Sequence, residues 1–267
     1  IDSFFTLLIL LSLWSLTEKR FEIASAILVY ALLVKPQAFF FFPILLFALV
    51  EKKNLKTFFL SVISGLLVFF VVVFPFSSGR GIFWIVDKYT ETLSSYPYAA
   101  LNAFNLFALS GGNWVNENNP FLFLSYRVWG YIFLLTIFLV TAVLFFRWKD
   151  RFKVYPLSFF LVASVFILSS KMHERYLYPA LALALFCYVY YRDRRIFTTY
   201  LGFSVTHFLN VGLVLLYSWY NIFHLYRYDL SVLFISLTNV ILYVYALFIG
   251  GDLFREGQGK KRMKREL

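Results

Sequence analysis

Apolar residues fill nine stretches of this chain, 3–17, 22–34, 37–50, 56–75, 128–146, 154–169, 176–191, 196–219 and 230–250. The runs are continuous rather than alternating, which predicts helices and excludes the strands of an outer-membrane barrel. Several are shorter than the roughly 20 residues that a bilayer crossing normally takes. Pro36 divides 22–34 from 37–50, and proline breaks or kinks a helix. One kinked helix would put Lys19/Arg20 and Lys52/Lys53/Lys56 on opposite sides. A hairpin puts both on the same side, and the hairpin is the reading adopted.

The segment 76–127 is the only long connection. Within it, 82–94 reads as an amphipathic helix lying flat at an interface. Ile82, Ile85, Val86, Tyr89 and Leu93 form one side, and Asp87, Lys88 and Glu91 the other. Tyr96-Pro97 ends it. The stretch 98–109 reads as a second, apolar helix with Asn102 and Asn105 on one face, three residues apart. Residues 111–120, Gly-Gly-Asn-Trp-Val-Asn-Glu-Asn-Asn-Pro, read as a loop. No internal repeat appears.

Composition turns this pattern into a class. The 267 residues are 61% hydrophobic and 15% charged, against about 25% charged in soluble domains. The expected fold is all-α, a polytopic transmembrane helical bundle of about nine spans with a long outer loop (76–127) containing interfacial helices. It is expected to form a single membrane domain over 1–250, followed by a basic, unstructured cytoplasmic tail at 251–267. The 35 Phe and 19 Tyr suit lipid-facing surface and interfacial belts. Cys187 is the one cysteine, so no intramolecular disulfide can form. A span begins at Ile1 with no signal peptide to interpret, so the chain is read as the C-terminal part of a longer protein.

The net charge of +11 is a signal of topology. Eighteen of the 25 Lys and Arg lie at 19–20, 52–56, 147–153, 192–195 and 255–265, at regular intervals between apolar runs. That spacing argues against nucleic acid and for the positive-inside rule. With nine spans and the tail inside, every such cluster is cytoplasmic. The opposite face then holds Asp2, Lys35-Pro36-Gln37, 76–127, 171–175 and 221–229.

On that face lies a polar island, Lys171-Met-His-Glu-Arg-Tyr-Leu-Tyr-Pro179. Four ionisable groups in five residues beside a bilayer are costly, which points to an anionic substrate. The bland alternative is a charged turn, although turns favour Gly, Asn and Ser, which the cluster lacks. Lys35 could snorkel or neutralise a lipid phosphate. Arg80, Lys88, Lys171 and Arg175 share the face, and Arg suits phosphate through its rigid fork. Such a set suits a lipid-linked phosphate or pyrophosphate donor. The outer carboxylates are Asp2, Asp87, Glu91, Glu117, Glu174 and Asp229. An inverting glycosyl transfer needs one of them as general base, and the sequence does not say which. Glu174 between His173 and Arg175 also reads as a structural ion pair. His207, with Asn210 three residues on, reads as a buried hydrogen-bonded histidine rather than a ligand. No phosphate-binding loop, zinc spacing or nucleophile elbow is present.

Asp2-Ser3, Lys35-Pro-Gln37, Tyr96-Pro-Tyr98 with Asn102, Asn105 and Gly111-Gly-Asn-Trp114, and Met172-His-Glu-Arg-Tyr-Leu-Tyr-Pro179 occur in that order over residues 2–179. Together they resemble the GT-C-fold membrane glycosyltransferases that use polyprenyl-phosphate sugars. The likeness is to bacterial relatives of the mannosyltransferase that adds the second mannose of glycosylphosphatidylinositol anchors. Phe74-Pro-Phe76 with Arg80-Gly81 and Asp87-Lys88 is similar to the lipid-linked glucosyltransferases of N-glycan assembly. The resemblance implies transfer of a hexose, mannose first, to a glycan or lipid acceptor at the extracytoplasmic face of the plasma membrane. It implies substrate-binding positions at Asp2, Lys35, Gln37, Arg80, Asn102, Asn105, Trp114, Lys171, His173, Glu174, Arg175 and Tyr176. In such families the catalytic acid lies in the first outer loop, which places it before this chain, so that the chain alone should be inactive. No cofactor is expected, and a divalent metal is left open. Membrane lipid is an expected partner and nucleic acid is not. The alternative is a non-catalytic transporter or flippase of a lipid-linked saccharide, which broken helices and midplane charges would favour.

Overall fold

The computed structural model describes residues 1–81 and 83–266, and the side chains of all of these except 93 and 257–266. The chain is all-α, about 75% helical with little sheet. It gathers into two compact units, Ile1–Tyr96 and Pro97–Leu267.

The first unit holds α1 (Asp2–Thr17), α2 (Phe21–Val34), a 3-10 turn (Pro36–Phe41), α3 (Phe42–Lys52), α4 (Leu55–Val73) and α5 (Trp84–Ser94). Helix α2 is its centre. Asp2 pairs with Lys35, Phe4 meets Tyr30, and the Ser12 hydroxyl donates to the Ala24 carbonyl at 2.8 Å, so α1 and α2 are antiparallel. Against α4 the order is the reverse. Ser64 donates to the Glu22 carbonyl, Gly65 faces Ser25 and Val29, and Tyr89, beyond α4, reaches the Leu32 carbonyl. Helices α2 and α4 therefore ascend together while α3 descends. The break at Lys35-Pro36 is a hairpin, because Lys35 is extended (φ −152°, ψ 120°) and Pro36 opens the turn.

The second unit holds β1 (Ala100–Leu101), α6 (Leu106–Leu109), β2 (Pro120–Phe121), β3 (Leu124–Ser125), α7 (Tyr126–Arg147), α8 (Val154–Leu168), β4 (Met172–His173), α9 (Tyr178–Tyr191), α10 (Arg194–Trp219) and α11 (Leu230–Glu266). Helix α8 is buried along nearly its whole length. A helix apolar on every face belongs at the centre of a bundle, and α7, α9 and α11 surround it. The connections alternate between two ends. At one end meet 97–127, 169–177 and 221–229. At the other lie 147–153 and 192–195, where Arg195 bonds Asp252 at 2.7 Å and Trp148 meets Tyr191 and Phe254. The charge segregation read from the sequence thus exists as two ends of this unit.

Helices occupy all nine predicted apolar stretches. Four of the described helices, Leu55–Phe76, Tyr126–Arg147, Arg194–Trp219 and Leu230–Glu256, are long and apolar enough to cross a membrane, where about nine crossings were expected. The others are shorter, with Asp2–Thr17, Phe21–Val34 and Val154–Leu168 among them. On α4, Phe59, Ile63, Leu67 and Phe70 are each about 60% exposed. An apolar face of this size meets lipid, not water. The chain is a membrane protein.

Three local expectations change. The stretch 98–109 is not a helix but an extended strand followed by the single turn Leu106–Leu109. Its apolar residues are buried on both sides, and periodicity cannot tell a doubly buried strand from a helix. The predicted interfacial helix starts at Trp84 with Val86, Asp87, Lys88 and Glu91 exposed. Tyr89 is tied to Leu32, while Ile82 and the Leu93 side chain lie outside the described residues. The backbone of 251–266 continues α11 instead of forming an unstructured tail, because no proline interrupts it. The basic side chains at 260–265 lie outside the described residues.

Helix α10 shows how its start is fixed. The Asp193 carboxylate accepts from the Arg195 amide at 2.8 Å and from the Arg195 guanidinium. That guanidinium, foremost, and the amide hold the carboxyl below its usual range. A depressed carboxylate stabilises the fold above its unfolded pKa, about 3.9, and the benefit is lost as the pH falls through the lower folded value. Asp193→Asn should therefore melt below the wild type at pH 7, and the gap should close below about pH 4. Thermal unfolding in detergent from pH 3 to 7 measures it, and a pH-independent gap would contradict the cap.

Candidate functional site

The sequence-predicted residues divide between the two units. In the first, Asp2 pairs with Lys35, whose ammonium also stands 5.7 Å from the Phe5 ring. Lys35 thus has a carboxylate partner, an outcome that neither the snorkelling nor the phosphate reading contained. Gln37 is buried, and Arg80 is exposed over the Trp84 ring at 4.5 Å.

In the second unit the remaining candidates meet around one strand. Ala100–Leu101 pairs in parallel with Met172–His173, in the register Ala100 to Met172 and Leu101 to His173. On its other edge run 113–117, through Ala99 N–H to the Val115 carbonyl (2.8 Å), Trp114 N–H to Ala100 (2.9 Å) and Glu117 N–H to Pro97 (2.8 Å). The Lys171 amide donates to the Tyr98 carbonyl at 3.1 Å. This double edge explains why apolar residues face both ways, and why the supposed loop 111–120 is packed rather than loose.

Asn102 and Asn105 are 4% and 0% exposed. The Asn102 amide donates to the Phe223 carbonyl at 2.8 Å, and its oxygen accepts from the Trp114 indole at 2.7 Å and from Asn113 at 3.2 Å. The Asn105 amide donates to the carbonyls of Phe166 and Ser169, while its oxygen caps α6 through Ala108 N–H. Asn210 clasps the same strand, donating to the Asn102 carbonyl (2.7 Å) and accepting from Phe104 N–H (3.1 Å). Asn239 donates to the Phe104 carbonyl at 2.7 Å. Asn210, which the sequence suggested as a companion of His207, thus serves the strand. The side-chain nitrogens of all four asparagines donate to main-chain carbonyls, while the Asn239 oxygen has no partner among the described residues.

Charge collects beside the strand. The Glu117 carboxylate, 1% exposed, accepts from Arg127 at 2.7 Å and Lys171 at 3.0 Å, both through Oε1. Its Oε2 has no hydrogen-bond partner among the described residues. Lys171 and Arg127 keep 30% and 40% of their side-chain surface. Glu174 and Arg175 pair at 3.1 Å, with Arg175 58% exposed, so the structural ion pair does form. The His173 ring lies 5.1 Å from Tyr176. Trp114 stacks on His224 with ring centroids 3.8 Å apart, and Tyr98 meets its edge.

Arg127 and His224 were not singled out from the sequence, while Glu117 stood only as one of six outer carboxylates and Asn113 only within Gly111-Gly-Asn-Trp114. Glu117 meets Arg127 ten residues on and Lys171 far beyond, separations with no local signature. Asn102, Trp114 and Lys171 adopt left-handed φ, 54°, 55° and 61°, as do five other non-glycine residues, with Lys53 and Arg192 at helix ends among them. Among the described residues no three His, Cys, Asp or Glu side chains gather as metal ligands.

No family model matches the chain, and no curated protein or solved structure is similar to it.

Proposed function

We propose that this chain is part of a membrane glycosyltransferase that takes a hexose from a polyprenyl-phosphate carrier. The observation that supports it is the gathering of Lys171, Arg127 and Arg175 at one end of the second unit, away from the basic clusters at 147–153 and 192–195. Two cations share one carboxylate there, which leaves net positive charge beside a surface where a departing phosphate would need it. The Trp114–His224 stack offers a flat aromatic surface suited to the apolar face of a sugar ring. A transporter would instead carry its charges at mid-helix.

The test is sugar transfer from radiolabelled polyprenyl-phosphate hexose in membranes containing the whole gene product. Arg175→Ala and Lys171→Ala should each lower donor kcat/KM by about 10- to 100-fold, the size of a lost charge-assisted hydrogen bond. Arg194→Ala, at the other end, should leave it unchanged. Full activity per folded molecule in Arg175→Ala, or movement of the carrier across vesicles without sugar transfer, would overturn the reading.

A further inference from the structure

A second feature of the Pro97–Leu267 unit lies away from this polar end. Helices α7 and α11 both pack on α8, and between them runs a groove of about 360 Å³. Phe133 and Leu168 line it towards the polar end, Leu144 and Trp148 towards the basic end, and Tyr243 and Phe254 form the α11 wall. From Phe133 to Trp148 is 15 residues of helix, or about 22 Å. That exceeds the roughly 15 Å depth of one leaflet's hydrocarbon.

Its hydroxyls are already used. Tyr243 donates to Ser164 at 2.8 Å, while Thr136 and Thr141 donate to the carbonyls of Ile132 and Ile137. The wall is therefore apolar along most of its length, with the Trp148 indole N–H the polar atom without a partner among the described residues, and a hydrocarbon chain is the filling that suits it. Trp148 lines its basic end, and the residues beside Trp148 in sequence, Arg147, Lys149 and Arg151, are exposed, with Asp150 the single acid in that run. An apolar slot longer than a leaflet is deep, with basic residues next to its end in sequence, suits an acyl chain below an anionic headgroup.

We propose that this groove holds one acyl chain of an anionic glycerophospholipid, with its headgroup beside Arg147, Lys149 and Arg151. The site lies at the end of the unit opposite the proposed sugar-phosphate site and does not depend on that reading. Gly251 gives the means of testing it. It lines the groove, and a Cβ added there meets no atom within 4 Å, so a side chain can be introduced at the slot's edge without a clash at its Cβ.

The protein is reconstituted in nanodiscs of mixed phosphatidylglycerol and phosphatidylcholine, released into mild detergent and weighed by native mass spectrometry. The wild type should retain one phosphatidylglycerol per chain, preferred over phosphatidylcholine by about fivefold for each basic residue engaged. Gly251→Leu should lose it while keeping the helical circular dichroism of the wild type. Should that variant fail to fold, Arg147→Gln/Lys149→Gln/Arg151→Gln decides, since it should retain a lipid with the headgroup preference gone, and an unchanged preference would overturn the proposal. Retention of no lipid, equal retention of the two lipids by the wild type, capture of polyprenyl phosphate instead, or undiminished retention in a folded Gly251→Leu would each overturn the proposal.

Discussion

Glu117→Ala is expected to destabilise the second unit by about 2–3 kcal/mol, less than the roughly 3–5 kcal/mol for breaking a fully buried pair. The carboxylate is 1% exposed and holds two cations from different segments, Arg127 at the start of α7 and Lys171 just past α8. Removing it leaves two like charges facing one another. Because Lys171 and Arg127 keep 30% and 40% of their surface, water recovers part of the loss. Glu117→Gln should fall between wild type and alanine, since an amide keeps an acceptor but brings its own donor towards the cations. Reversible unfolding in mixed micelles measures this, with Arg127→Met and Lys171→Met completing double-mutant cycles. A Glu117→Ala protein within about 0.5 kcal/mol of wild type, the range of an ordinary surface substitution, would show that the carboxylate does not bind the segments together.

The helices were legible in the sequence because their signal is local. Each apolar run announces itself, and Asn54, Ser125 and Asp193 stand at the starts of α4, α7 and α10 as capping residues. The hairpin at Pro36 could be argued from charge alone, since only that turn puts Lys19/Arg20 with Lys52/Lys53. Crossing length was less legible: α8 is apolar throughout yet only 15 residues long, because it is buried by neighbouring helices. The polar end was legible as composition but not as arrangement. His173 and Lys171 were found from the island itself. What places them is a parallel pairing with Ala100–Leu101, some seventy residues earlier, which no periodicity reports. Glu117 appeared as one of six outer carboxylates, and nothing near it in sequence marks it as the one between two cations. The asparagines were recognised as too costly to leave unpaired in an apolar stretch. The resemblance implied substrate as their partner, with purely structural bonding the alternative, and their amides bond main-chain carbonyls brought in from 166–169 and 223.

That difference can be measured at Asn102. Asn102→Ala should cost about 2–3 kcal/mol, because it breaks the bonds from the Trp114 indole and the Asn113 amide and the bond to the Phe223 carbonyl, at about 1 kcal/mol each, those with Trp114 and Phe223 being only half-buried. It also leaves alanine at φ 54°, a conformation that asparagine tolerates and alanine resists. Asn102→Gly separates the two causes. Glycine restores the backbone but not the hydrogen bonds, so it should recover about 1 kcal/mol of the alanine loss and no more. Asn105→Ala should cost about 2–3 kcal/mol, losing its bonds to Phe166 and Ser169 and the cap of α6. A sugar-binding role predicts another pattern: near-native stability with a raised KM for the donor. Unfolding in micelles, together with donor kinetics normalised to folded protein, distinguishes the two. If Asn102→Ala melts with the wild type and fails only in donor use, the amide faces substrate and the bonds to Trp114 and Phe223 are incidental. If it unfolds early and the folded fraction keeps its KM, Asn102 is the clasp that fixes strand 100–102 against 113–114 and 223–225, and so sets where Trp114, His173 and Lys171 stand.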